Sequence, residues 1–544
     1  MRRSLIYCIF LSLIIIAAFW RITQTFYQQD EWLGYGLYLA KGAGMIMQST
    51  GGILGVILGQ GRILTNLLYF LFYKYSPLNV FPIAIFAIIF HIINTLIVFF
   101  LAKKLFKKIL PAFLGGLFFA LNSVSQSAVT WPAASINTLP STALILIALI
   151  FYFRYLESFK EKWMVLSFAF VYLSLFFKET GVFLFLILPL FSLVYKKQSI
   201  GVFVKRYWYF LAATFFIVVY RIWGFKSEPN QVALFLTGSS SAYWQTFLTR
   251  AFLYPLTSFS LTLVPSEPFL WFARSLSKIY YPFIAPQQFN LIVQTIVLDL
   301  LAVLLSAIIG FFSLPLFKIS DPKIKKNIVF WFVFLFASFL PYIIISKSYS
   351  YLESRYYYLA SVAWGIIFAW TFVLIEKRVK MQLFKVLAVL FYVLFIFTHT
   401  RIVISDVGKL VTESQTRVSF LSQISSIVPT LTNDRNIFYI TGDSDFYLPG
   451  NKVPFQQGFG YTLMSLYYDS GKIPKELLSN GYLFEIGGEG YKEVSGKGFG
   501  YFSDKNVMKD TLSKYNVGPT ITYFYYDSKT DKILKKNNAE ENID

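Results

Sequence analysis

Apolar runs of about 20 residues, separated by short clusters of lysine and arginine, recur along most of this chain. Each run is the length a helix needs to cross the roughly 30 Å hydrocarbon layer of a bilayer. Candidate spans fall at 4–22, 79–102, 110–128, 138–155, 162–178, 181–196, 207–224, 290–317, 328–346, 357–375 and 383–398. Composition supports this reading. Of 544 residues, 56% are hydrophobic and 14% charged, against roughly 25% charged in a soluble domain. Such a chain cannot cover itself with polar surface in water, so a soluble multidomain protein and a disordered one are both excluded. Cys8 is the single cysteine, which excludes an intramolecular disulfide framework, and the two histidines, His91 and His399, are too far apart in sequence to suggest zinc.

The net charge of +21 does not point to nucleic acid, because the basic residues are divided among loops. Arg2 and Arg3, Lys103–Lys108, Arg154–Lys162, Lys196–Arg206, Lys318–Lys326 and Lys377–Lys385 occupy every alternate connection when eleven helices cross. Cytoplasmic loops carry such an excess. The N-terminus is therefore expected in the cytoplasm and the C-terminus outside, in the plasma membrane of a prokaryote. Ala17-Ala18-Phe19-Trp20 is a poor cleavage site, so the first span reads as an uncleaved anchor.

The sequence thus predicts an α-helical polytopic membrane domain over 1–398 and a separate α+β domain outside the membrane over 399–544. The span count is about eleven, or twelve to thirteen if 225–289, read here as an interfacial segment, forms a helical hairpin. The first outer loop, 23–78, contains a Gly51, Gly55, Gly59 spacing suited to close helix packing. In the C-terminal segment Val407, Leu410, Val411, Val418, Leu421 and Ile424 recur at helical spacing. Ile437–Thr441 and Ile521–Tyr526 read as strands, Asp527–Asp531 as a turn and Gly496–Gly500 as a loop.

Ionisable groups at the non-cytoplasmic ends of spans carry the functional signal, since charge near lipid is costly and needs a reason. Asp30 and Glu31 follow the first span; they are either solvated charge or a general base with a neighbour that tunes it. Arg62, Lys178, Glu179, Glu353 and Arg355 are either interfacial pairs with an aromatic belt or a set that holds a lipid phosphate. His91, midway along the second span, reads first as a packing histidine. The loop Asn122–Asn137, rich in Ser and Asn around Trp131, is either a polar cap or a sugar-facing surface.

An acidic pair in the first outer loop after a single span resembles the GT-C fold of membrane glycosyltransferases that use polyprenyl-phosphate sugars. Five strings in order resemble the transmembrane O-mannosyltransferases that carry tetratricopeptide repeats, and their prokaryotic relatives. They are Arg62-Ile-Leu-Thr-Asn-Leu-Leu, Phe90-His91-Ile-Ile-Asn94, Phe119-Ala-Leu-Asn-Ser-Val-Ser-Gln-Ser-Ala-Val-Thr-Trp131, Phe177-Lys-Glu-Thr-Gly181 and Glu353-Ser-Arg-Tyr-Tyr-Tyr-Leu359. The chain departs from that pattern at Ser123, Gln126 and Ser354, and 399–544 stands where the repeats would follow.

The resemblance implies an inverting sugar transfer from a polyprenyl-phosphate donor in the membrane to an extracytoplasmic hydroxyl of glycan, lipid or protein. It casts Asp30 as base with Glu31 assisting, and Arg62, Lys178 and Arg355 as the phosphate holders. Glu179 and Glu353 would orient those cations, with His91 and Trp131 in support. It leaves a divalent metal, Mg or Mn, open. The competing readings are an O-antigen-ligase-like transferase, a lipid or polysaccharide transporter and a structural membrane protein. No internal repeat or mid-span charge pair supports a transporter.

Overall fold

The computed structural model describes residues 2–48, 50, 52–57, 61–196, 199–225, 240–265, 268, 270–272, 275, 288–318, 320–343, 353–378, 381–442, 458–485, 488–515, 521–527 and 529–536. Gly51 and Gly59 of the expected packing spacing lie outside these residues, as does much of 225–289.

The helices in chain order are α1 (Arg2–Phe19), α2 (Asp30–Lys41), α3 (Ile53–Ile57), α4 (Ile63–Tyr75), α5 (Phe81–Phe106), α6 (Ile109–Ala120), α7 (Ser127–Thr130), α8 (Pro132–Ser158), α9 (Glu161–Leu175) and α10 (Leu184–Lys196). Then follow α11 (Ile200–Phe225), α12 (Ser240–Leu261), α13 (Gln288–Lys318), α14 (Pro322–Ala337), α15 (Tyr358–Arg378), α16 (Gln382–Ile427), α17 (Phe459–Tyr467), α18 (Lys475–Ser479) and α19 (Lys505–Ser513). Five strands form one sheet: β1 (Arg435–Gly442), β2 (Gly490–Val494), β3 (Lys497–Phe502), β4 (Ile521–Asp527) and β5 (Lys532–Lys536).

Among the described residues, seven helical stretches are long and apolar enough to cross a membrane: Arg2–Gln24, Phe81–Phe106, Pro132–Ser158, Ile296–Leu314, Ile324–Tyr342, Ser354–Lys377 and Lys385–Ile427. Several expected spans are shorter helices. The run at 110–128 breaks after Ala120, where Asn122 caps a 3-10 turn by accepting the Val124 N–H at 2.9 Å. The run at 162–178 stops at Leu175, and the next helix starts at Leu184. The breaks fall where the chain turns polar, at Asn122-Ser-Val-Ser-Gln-Ser127 and Lys178-Glu-Thr180, so the expected spans ran past the helix ends.

The chain divides into two compact units. The first comprises Met1–Trp20, Ser49–Thr65 and Phe86–Ser405; the second, Arg21–Gln48, Asn66–Ile85 and Asp406–Asp544. The boundary therefore differs from the expected break at 398. Pieces of the first outer loop belong with the C-terminal segment, and α16 runs unbroken for 46 residues through the expected junction. Four of the six apolar positions at helical spacing there, Val407, Val411, Leu421 and Ile424, are buried.

In the first unit, small residues let helices approach closely, as association without a hydrophobic drive requires. A Cβ at Gly365 of α15 would stand 2.9 Å from the Gly115 carbonyl oxygen of α6. A buried network joins four segments. His91 Nε2 donates to the Ala120 carbonyl at 2.9 Å, Nδ1 accepts from the Tyr358 hydroxyl at 2.8 Å, and Asn94 donates both to that hydroxyl and to the Leu139 carbonyl. His91 is thus a packing histidine that pins the start of α15. At α12 and α13, Ser260 donates to the Ala302 carbonyl at 2.7 Å and Ser306 to the Leu256 carbonyl, so the two helices run antiparallel.

In the second unit the sheet order is β2-β3-β1-β4-β5, with β1 parallel to both neighbours and antiparallel edges. The central run Ile437-Phe438-Tyr439-Ile440 is apolar throughout because both faces are covered. Ile437 and Tyr439 meet Met508 and Leu512 of α19, while Phe438 faces Phe499, Phe524 and Tyr467 of α17. The strands expected at 437–441 and 521–526 are present. The expected loop Gly496–Gly500 is corrected: it turns at Gly496 and enters β3, whose glycines face the Tyr491 ring, leaving no room for a side chain.

Candidate functional site

Lys178 is the centre of the arrangement in the first unit. Past the end of α9 its backbone is extended, outside the helices, and its N–H donates to the Ser174 carbonyl at 3.0 Å. The side chain is only 4% exposed. Among the described residues its hydrogen bond goes to Thr138 Oγ1, 2.8 Å away on α8, and its ammonium lies 5.4 Å from the Tyr356 ring centroid. Burial pushes its pKa down to about 7, and the neighbouring Arg62 and Arg355 add to the effect against Glu179 and Glu353.

Arg62 reaches the same region from the start of α4. Its backbone has a positive φ of 46°, and Gly61 before it has a φ of 86°, a conformation that only glycine adopts without strain. The guanidinium grips Glu179 with both arms, Nε to Oε2 at 2.9 Å and Nη2 to Oε1. Two further bonds frame the pair: Leu64 N–H to the Phe176 carbonyl at 3.1 Å and Thr65 Oγ1 to the Phe177 carbonyl at 2.9 Å.

Arg355 sits in a 3-10 turn, Ser354–Tyr357, that leads into α15. It pairs with Glu353, lies 4.3 Å over the Trp131 ring, and donates to the Tyr356 hydroxyl at 3.1 Å. Ser354, which separates the glutamate from the arginine, accepts the Ser127 N–H at 3.2 Å and ties this turn to the Asn122–Trp131 segment. Trp131 is buried, and its indole N–H has no hydrogen-bond acceptor among the described residues.

The structure therefore gathers Arg62, Lys178, Glu179, Glu353, Arg355 and Trp131. His91 stands behind them through Tyr358, in support but outside the cluster. Sequence reasoning missed Thr138 and Tyr342, whose ring centroid is 4.6 Å from that of Tyr356, and had Tyr356 only as part of the string Glu353–Leu359. It also missed that His399 Nδ1 accepts from Ser123 Oγ at 2.8 Å and from Ser123 N–H at 3.2 Å. The Asn122–Asn137 loop otherwise behaves as a polar cap: Ser135 and Asn137 bond to carbonyls at its own helix start.

An apolar cavity of about 850 Å³ opens between α12, α13 and α14, lined by residues including Pro255, Phe259, Phe317, Phe332, Phe336 and Leu340. Leu340 begins the 3-10 turn that ends at Tyr342. Leu340 in the cavity lining is thus two residues along the chain from Tyr342, whose ring packs on Tyr356.

Asp30 and Glu31 belong to the second unit. Asp30 is exposed at the first position of α2. Glu31 is fully buried, and its Oε2 accepts the N–H groups of Gln28 at 3.3 Å and Gln29 at 3.0 Å. Its carboxylate thus satisfies the chain entering α2 rather than presenting itself for chemistry, while Tyr73 donates to its carbonyl at 3.1 Å. Tyr27, Trp32, Tyr35 and Tyr73 close around it; burial pushes Tyr35 up to about 12.

The donor set does not suit Mg or Mn. Among the described residues no three His, Cys, Asp or Glu side chains gather, and both carboxylates of the cluster are held by arginines. Comparison of the chain with family models, with curated proteins and with solved structures found no match.

Proposed function

We propose that this chain is an inverting glycosyltransferase that moves a sugar from a polyprenyl-phosphate donor to a hydroxyl acceptor at the outer face of a prokaryotic plasma membrane. The observation that carries the reading is a buried lysine with two partly exposed arginines near it, together with an apolar cavity whose lining includes Leu340, two residues from Tyr342. A lipid phosphate needs both: charge for its head and a dry channel for its tail. Alternate lysine-rich loops support the sidedness.

The charge arithmetic favours a monophosphate donor. Arg62 is balanced by Glu179 and Arg355 by Glu353, so among the described residues of the cluster Lys178, when protonated, adds one positive charge beyond those two pairs. One positive charge matches a phosphodiester monoanion, and a lipid diphosphate would leave a negative charge without a partner. This weighs against the O-antigen-ligase-like reading.

In the reaction the acceptor oxygen attacks the anomeric carbon while the bond from that carbon to the phosphate oxygen breaks. The acceptor proton passes to the Asp30 carboxylate, and polyprenyl phosphate departs with the bonding electrons, its charge met by Lys178 and the two arginines. Glu31, already engaged in capping, serves by fixing the turn that carries Asp30. The test is transfer or slow hydrolysis of a radiolabelled polyprenyl-phosphate hexose by purified protein. Asp30→Asn is expected to lower turnover by about 10²–10⁴-fold, the usual worth of a general base, with donor affinity unchanged. Equal turnover in the variant removes Asp30 from the mechanism.

A further inference from the structure

Arg417 lies in the C-terminal half of α16, where spacing alone makes it one of many solvated charges. In the structure it is 1% exposed, among the largest fully buried side chains. Its Nη2 donates to Ser414 Oγ at 2.8 Å, and the carboxylates within its electrostatic range are Glu413, which is exposed, and Glu31, which is not. An arginine is almost never fully buried without an anion, and the same holds for a glutamate. In the second unit these two buried, oppositely charged side chains lie within electrostatic range of each other.

The rest of α2 is seated with equal closeness. A Cβ at Gly36 would fall 2.7 Å from Cζ and 2.8 Å from Cε1 of Tyr461 on α17, and one at Gly34 would fall 2.6 Å from the Tyr73 hydroxyl. Tyr461 in turn donates to the Leu478 carbonyl of α18 at 2.8 Å. The first outer loop and the C-terminal segment thus share one core, in which Arg417 and Glu31 are both buried. A domain that merely shielded the membrane surface has no use for a desolvated arginine under this helix.

We propose that Arg417 is a positioning residue for the acidic turn Gln28–Trp32: it fixes Glu31, and through Glu31 the direction in which α2 presents Asp30. The C-terminal segment thereby completes the catalytic element that the first outer loop begins. The proposal rests on Asp30 being the base.

Full-length wild type, Arg417→Met, Arg417→Lys, Glu31→Gln and the Arg417→Met/Glu31→Gln double variant are compared in lipid nanodiscs by two measurements. Hydrogen exchange of residues 28–41 is read against strand 435–442 as internal reference, and release of hexose from a C55 polyprenyl-phosphate hexose gives kcat and KM. Arg417→Met and Glu31→Gln are each expected to speed exchange of 28–41 by about tenfold, with the reference strand unchanged. Each is expected to lower kcat by on the order of 100-fold, the cost of a misplaced catalytic group, with KM held. The double variant is expected to match the singles, because members of one pair do not add, and Arg417→Lys to recover most of the loss.

Unchanged exchange in Arg417→Met, additive losses in the double variant, or a lysine variant no better than methionine overturns the proposal. Faster exchange in the reference strand marks global unfolding, and Arg417→Lys with Glu31→Gln then carry the test. A wild type that turns over no donor overturns the transferase reading and the positioning role with it, while the exchange data still decide whether Arg417 and Glu31 act as a pair.

Discussion

The burial of Lys178 makes donor binding depend on pH in a way that can be worked out. With its pKa pushed down to about 7, the side chain in the empty site is half protonated at neutral pH. Only the ammonium form attracts a phosphodiester, so binding takes up a proton, and affinity tracks the protonated fraction of the free protein. As pH rises through 7 that fraction falls; between pH 7 and pH 9 affinity drops by about 50-fold, or about 2.3 kcal/mol, provided the bound lysine stays charged. Below pH 6 the curve is flat. The groups facing Lys178 are the ion pairs Arg62–Glu179 and Arg355–Glu353, with Thr138 and Tyr356. The assay is calorimetric binding of a polyprenyl methyl phosphodiester, which remains a monoanion throughout, from pH 6 to pH 9. Repeating it in buffers of different ionisation enthalpy counts the proton. Lys178→Met is expected to bind weakly at every pH. A wild type whose affinity is level from pH 6 to pH 9, or a methionine variant that keeps the slope, refutes the reasoning.

Other parts of the structure give their own tests. Gly365→Leu drives a side chain into the Gly115 backbone; it is expected to destabilise the protein by about 1–3 kcal/mol or more, read as a lower melting temperature in detergent. Tyr358→Phe leaves His91 Nδ1 and Asn94 without their shared hydroxyl. It should cost about 1–3 kcal/mol of stability in a denaturation series, while Lys178→Met at the cluster lowers donor affinity without such a loss. Ala337→Trp fills part of the apolar cavity, so competition binding should show weaker binding of a long polyprenyl phosphodiester and unchanged binding of a short-chain analogue.

The residues that carry charge where lipid makes charge costly were legible, and Arg62, Trp131, Lys178 and Arg355, from four strings far apart in sequence, meet because each lies at a helix terminus. The helical pattern after 398 and two strands were legible for a similar reason: their periodicity is local. What escaped the sequence depends on lateral contact. Arg417 looks like any solvated arginine until α2 is packed beside it, and Ser123 gives no sign of its bond to His399. Gly496–Gly500 reads as a loop because glycine favours turns, whereas here the absent side chains admit the Tyr491 ring. The unit boundary was displaced because composition changes along the chain, while a folded unit is defined by which segments touch. Helix ends were misjudged where an expected span ran on into polar residues, as at Asn122 and Lys178.

Those breaks have a consequence for the surrounding membrane. The helices α6, α9 and α10 contain 12, 15 and 13 residues, so they rise about 18, 22 and 20 Å at 1.5 Å per residue. A hydrocarbon layer of roughly 30 Å is thicker than any of them. Lipid that meets such helices thins, at a fraction of a kcal/mol per Å of mismatch, or the backbone at their ends is met by protein groups, as Thr65 and Leu64 meet the carbonyls of Phe177 and Phe176. Both effects shorten the path between a lipid headgroup and the site around Lys178. On the proposed function, such a dent in the bilayer would let a lipid phosphate reach Lys178 while its tail stays in the apolar layer.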